Sequence, residues 1–65
     1  MKLQEGELIL IYNTVVKEER LLMFLEYCFH TRHIIKLYDI RKQRIITMNI
    51  HFLYEPYNIV QYLCR

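Results

Sequence analysis

RLLMFLEYCFH, residues 20–30, is the stretch whose reading decides the fold of this chain. Leu21, Leu22, Leu25, Cys28 and Phe29 fall at i, i+1, i+4, i+7 and i+8, which is one stripe of an α-helix. Glu19, Glu26 and His30 lie on the other side of that helix, and Met23, Phe24 and Tyr27 widen its apolar arc. Phe, Tyr and Cys also suit a sheet, so the same residues can be read as a strand. The segment just upstream favours the helix. Asn13 or Thr14 can cap free helical N–H groups, and Glu18 and Glu19 follow where the helix dipole favours acids. The primary expectation is a helix over residues 14–30.

The flanks read as strands. ELILIY, residues 7–12, is an apolar run bounded by Gly6 and by Asn13-Thr14, and it suits a strand buried on both faces. HIIKLYDI, residues 33–40, and RIITMNIHF, residues 44–52, form the clearest hairpin in the chain. In the first, Ile35 and Leu37 share one face and Lys36 and Tyr38 the other. In the second, Ile46, Met48, Ile50 and Phe52 oppose Ile45, Thr47, Asn49 and His51. Arg41-Lys42-Gln43 joins them without an Asn-Gly or Asp-Gly pair, which implies a loop of three to five residues. Pro56 ends the second strand region, because proline donates nothing to a sheet ladder. YNIVQYLC, residues 57–64, reads as a short closing helix or a last strand.

The expected fold class is therefore α+β: a single domain over residues 1–65, in the order β-α-β-β, with one helix on a small mixed three-stranded sheet. A strand–helix–strand unit makes a right-handed crossover between parallel strands, and the hairpin adds an antiparallel strand. The alternative, with residues 20–30 extended, is a small all-β meander or barrel. In that form the basic-turned hairpin and apolar tail resemble short SH3-like or Sm-like barrels, a likeness that assigns the chain to no family.

Composition bears on stability and partners. A chain of 65 residues buries only about 60% of its unfolded surface and needs help from disulfides, a metal or oligomerisation. Hydrophobic residues make up 54% of it, with nine leucines, nine isoleucines and three valines beside six tyrosines and three phenylalanines. So small an interior leaves apolar surface outside, which points to a homodimer or a tight contact with another protein. The same composition excludes disorder. The N-terminus lacks the positive start and long apolar run of a signal peptide, and the uncharged run at residues 8–16 is far short of the ~20 residues that span a bilayer. A cytoplasmic protein, with Cys28 and Cys64 reduced, is expected.

Catalysis finds little support in the residue types. The chain has no serine and one glycine, so it has neither a serine nucleophile nor a glycine-rich phosphate loop. Cys28 lies on the apolar stripe, where a thiol acts as a small hydrophobe. Cys28, His30 and His33, with Cys64 or His51, lack the spacing of a zinc site. Neither enzymatic activity, nor a metal, nor a cofactor is expected.

Charge is uneven. Residues 1–31 carry three cations and five acids, and residues 32–65 carry six cations and two acids. Arg32, Lys36, Arg41, Lys42 and Arg44 surround Tyr38 in the hairpin region, and Tyr54 and Tyr57 flank Pro56 nearby. Tyr and Arg both bury area while still making polar contacts, which suits a protein interface. The expected function is a small non-enzymatic interaction module, of inhibitor or adaptor type, that binds a larger protein through these eight residues. The alternative is a DNA- or RNA-binding module using the same hairpin, with cations tracking phosphates and an aromatic stacking on a base. No membrane contact is expected.

Overall fold

A computed structural model describes residues 3–28 and 32–64, the last of these by its backbone alone. Phe29 and His30, read above as the end of the helix, and the side chain of Cys64 lie outside them. The described residues form five strands, β1 (Leu8–Asn13), β2 (Glu18–Tyr27), β3 (Ile34–Asp39), β4 (Arg44–Asn49) and β5 (Asn58–Cys64), with a 3-10 turn, η1 (Ile50–Tyr54), before the last. All neighbours are antiparallel, and the sheet order is β4-β3-β2-β1-β5.

This corrects the α+β expectation. Residues 18–27 extend, the described residues make no parallel crossover, and the all-β alternative is the fold, with β5 returning to pair with β1. The reason lies in how β2 is buried. It is the middle strand, flanked by β1 and β3, and its Leu22 and Phe24 turn inward while Leu21 and Met23 turn outward onto a half-buried face. A helix over the same residues would bury one stripe; the strand places apolar side chains on both faces and completes two ladders. The polar start of the expected helix serves a turn instead. Asn13 Oδ1 accepts from the N–H groups of Val15 and Val16 at 2.9 and 3.1 Å, the same capping chemistry applied to the β1–β2 connection. Lys17 then takes φ +57°, the left-handed step that returns the chain into β2.

The sheet curls on itself rather than resting under a helix. Its principal extents are 32 × 23 × 21 Å, too thick for one flat layer of backbone. Ile9 and Ile11 of β1, Leu22 and Phe24 of β2, and Ile35 and Leu37 of β3 form the core, joined by Leu3 and by Leu53 of η1. Each such fully buried aliphatic contributes about 1.5–3 kcal/mol relative to exposure. Ile46 and Met48 of β4 and Val60 and Tyr62 of β5 pack on the same cluster from the two edges.

One irregularity re-aims β2. The register shifts between Phe24 and Glu26, leaving Leu25 as the bulged residue. The shift turns Glu26 outward beside Lys36, 3.4 Å away. It also brings Tyr27 over the core, edge-on to Phe24 at 5.0 Å, with its hydroxyl accepting from Leu3 N–H at 3.1 Å.

Candidate functional site

The outer face of the curled sheet leaves apolar surface uncovered, as do Val15 and Val16 of the β1–β2 turn. The register sets Ile45 of β4 beside Tyr38 of β3, Tyr38 beside Met23 of β2, and Met23 beside Leu8 of β1. These four side chains make a continuous apolar row across four strands. Ile45 is 61% exposed, and Ile59 and Leu63 of β5 are 59% and 46% exposed. A β-branched residue this exposed on a regular strand loses little by being covered and gains by it.

Cations gather at one end of this row. The β3–β4 connection, residues 40–43, is a four-residue turn with Gln43 at φ +54°, within the loop length expected. Asp39 Oδ1 accepts from Lys42 N–H at 3.0 Å and holds the turn closed. Arg41 reaches across to β2 and binds Glu19 Oε1 at 2.8 Å. Lys36 is likewise engaged by Glu26. Among the described residues no acidic side chain pairs with Lys42 or Arg44, and both are exposed.

The eight residues singled out in the sequence thus divide. Tyr38, Arg41, Lys42 and Arg44 lie at the β3–β4 end, with Lys36 farther along the outer face that Tyr38 shares and Arg44 on the opposite face, across from Asp39. Arg32 stands before the opposite end of β3, a strand of six residues and so about 20 Å long. Tyr54 is on η1 and 59% exposed. Tyr57 precedes β5, and its carbonyl accepts from both the N–H and the hydroxyl of Thr14, at 2.8 and 2.9 Å. That bond ties Tyr57 to the β1–β2 turn.

A second feature was missed in the sequence. Arg20 turns inward on β2, and its Nη2 lies 3.7 Å from Oδ2 of Asp39, which is only 2% exposed. The signal was present: Asp39 stands two residues beyond Leu37 and four beyond Ile35, on the inward face of β3. Arg20 and Phe52 separate two clefts at the seam between β4 and the β1–β5 side. One, of about 110 Å³, is lined by Ile11, Asn13, Val16, Glu18, Arg20, Phe52 and Asn58. The other, of about 270 Å³, is lined by Arg20, Ile46, Thr47, Met48 and Phe52. Arg20 Nε and Asn58 Oδ1 are buried without a hydrogen-bond partner within the described chain. The linings of these two clefts hold no cysteine, histidine or serine.

Among the described residues no three His, Cys, Asp or Glu side chains gather where a metal could sit. His33 and His51 stack at 5.4 Å, Cys28 is buried with a free thiol, and His30 lies outside the described residues. No helix among those residues is long and apolar enough to cross a membrane. Comparison with protein families, curated proteins and solved structures finds no match to this chain. The class these observations define is a small antiparallel β-domain with an uncovered apolar face.

Proposed function

We propose that this chain is a non-catalytic protein-interaction module, of inhibitor or adaptor type, that docks on an acidic protein surface through the end of its β3–β4 hairpin. The observation that supports this reading is the apolar row of Met23, Tyr38 and Ile45 at the β3–β4 end, where Lys42 of the turn and Arg44, on the opposite face of β4 across from Asp39, have no acidic side chain paired with them among the described residues. Such a site has the parts of an interface: an aromatic and an aliphatic anchor to bury, and charges at the rim to steer and select. Arg41 and Lys36 contribute less than their sequence positions suggest, because Glu19 and Glu26 already neutralise them. The apolar excess of the outer face leads us to propose that the module works as a homodimer.

The test is a titration of isotope-labelled protein with a synthetic peptide alternating glutamate and leucine, followed amide by amide. Shifts centred on Tyr38, Lys42, Arg44 and Ile45, lost in Arg44→Glu and retained in Arg32→Glu, support the reading. No shifts at the hairpin end would overturn it. So would tighter binding of a mixed-sequence DNA duplex with affinity falling steeply in salt, which is the signature of phosphate contacts.

A further inference from the structure

The free edge of β4 opens onto the larger of the two clefts. β4 has β3 on one side and no described strand on the other. Two bonds at the ends of this hairpin fix how its backbone is aimed. Ile50 N–H donates to His33 O at 2.6 Å, and Ile40 N–H donates to Leu21 O at 3.1 Å, on the β2 side of β3. Backbone groups alternate in direction along a strand, so Arg44, Ile46 and Met48 turn theirs to β3. Ile45 and Thr47 turn theirs to the free edge, and the β3–β4 register runs without a shift. The inward side chains beside that rim lack a cover as well. Leu37 and Ile35 of β3 are fully buried, whereas Ile46 and Met48, paired with them on β4, are only half-buried. With Thr47, Phe52 and Arg20 they line a cleft of about 270 Å³.

Arg20 is the charged residue of that lining, and its bonding is incomplete. A guanidinium carries five N–H donors. Among the described residues its ion-pair partner is Asp39, at a distance of 3.7 Å that is too long for a hydrogen bond, and its Nε is buried with no partner. The side chain is only 25% exposed, so unmet donors are costly there. A carboxylate entering the cleft would meet them, because its two oxygens match the guanidinium fork.

We infer that this cleft is a strand-addition site: an extended segment of another protein pairs its backbone with Ile45 and Thr47 and sets an acidic side chain against Arg20. Main-chain bonds along the edge supply affinity, and pockets for alternate side chains supply selectivity. Apolar residues of the segment flanking its acid would cover Ile46 and Met48. The site lies on the opposite face of the sheet from the row of Met23, Tyr38 and Ile45, and it stands whether or not a partner docks there.

The carboxylate is what selects the occupant. The two edge strands of this chain, RIITMN and NIVQYLC, hold no acid. A second copy laid along β4 by either strand would pair backbone and leave the guanidinium as it is. A segment from a different protein, with one acid among apolar residues, meets both demands.

The probe is a blocked seven-residue peptide in which threonine alternates with valine and the central valine is replaced by glutamate. It is titrated into the isotope-labelled chain beside a twin with glutamine at the centre. The expected result is shifts at the amides of Ile45 and Thr47, the Met48 methyl and the Arg20 Nε–H, with the twin binding about tenfold more weakly. Thr47→Pro removes one edge N–H and leaves the interior of the sheet alone, and it should weaken binding about fivefold, whereas Thr47→Val should bind as the wild type does. Equal affinity for the two peptides, indifference to Thr47→Pro, or no binding at millimolar peptide would each overturn the site. Shifts confined to Tyr38 and Met23 would overturn it too, while leaving the outer-face reading intact.

Discussion

Arg20 and Asp39 face each other inside the sheet, Nη2 to Oδ2 at 3.7 Å, on strands whose other buried residues include Leu22, Phe24, Ile35 and Leu37. Asp39 is the more deeply buried partner, and its second oxygen holds the turn through Lys42 N–H. One carboxylate thus serves the core and the hairpin loop together. Removing it strands a half-buried guanidinium and frees a turn. Asp39→Ala should lower stability by about 3 kcal/mol, towards the lower end for breaking a buried pair because Arg20 keeps some water. Urea denaturation checks this, and Asp39→Asn separates the lost charge from the lost acceptor.

Asn13 closes the β1–β2 turn by accepting from two successive N–H groups. Asn13→Ala removes both bonds from an exposed turn, and the expected cost is about 1 kcal/mol, comparable to losing a helix cap. Asn13→Asp retains the acceptor and should lie close to wild type in a thermal melt.

Tyr27 is positioned by the bulge at Leu25, and its hydroxyl satisfies Leu3 N–H. Tyr27→Phe keeps the edge-on contact with Phe24 and deletes only that bond. A loss of about 1 kcal/mol is expected, with faster hydrogen exchange at the Leu3 amide. Unchanged exchange at Leu3 would show that the N-terminal segment is held by Leu3's apolar contacts instead.

At the proposed docking end, Ile45→Asp should weaken binding of the acidic peptide at least tenfold, since it charges the anchor. Its effect on the fold should stay within about 0.5 kcal/mol, because Ile45 is 61% exposed. Lys42→Ala and Arg44→Ala should instead slow association, with a penalty that shrinks as salt is raised. Stopped-flow binding at two ionic strengths distinguishes the two effects.

The hairpin was legible because alternation survives in it: Ile35 and Leu37 point in and Lys36 and Tyr38 out, as the period of two requires. β2 was not. Its outer residues Leu21 and Met23 are as apolar as its inner ones, since the outer face of this sheet is itself half-buried, so no polar partner marks the alternation. The bulge at Leu25 then breaks the period midway. What remains is a run of apolar residues that fits a helical stripe equally well. Asn13 added to the error, because an amide oxygen that caps a helix and one that closes a turn leave the same residue in the sequence. The proposed docking end was half legible. Position along the hairpin located Tyr38, Lys42 and Arg44, but the acids that neutralise Arg41 and Lys36 come from β2 and depend on pairing that only the fold reveals.

The pairing of β1 with β5 shapes how the chain reaches this state. β1 through β4 each pair with the strand next in sequence and can zip together locally, whereas Ile11 meets Val60 across nearly the whole described chain. Closing a loop that long costs entropy before any contact repays it. β5 should therefore be the last strand to dock in folding and the first to leave in unfolding. Val60→Ala would then accelerate unfolding and leave the folding rate nearly unchanged, while Leu37→Ala would slow folding. Early in folding β1 waits as an unguarded edge, and the local speed of the β1–β4 meander is matched by a late interval in which the molecule is most open to mispairing.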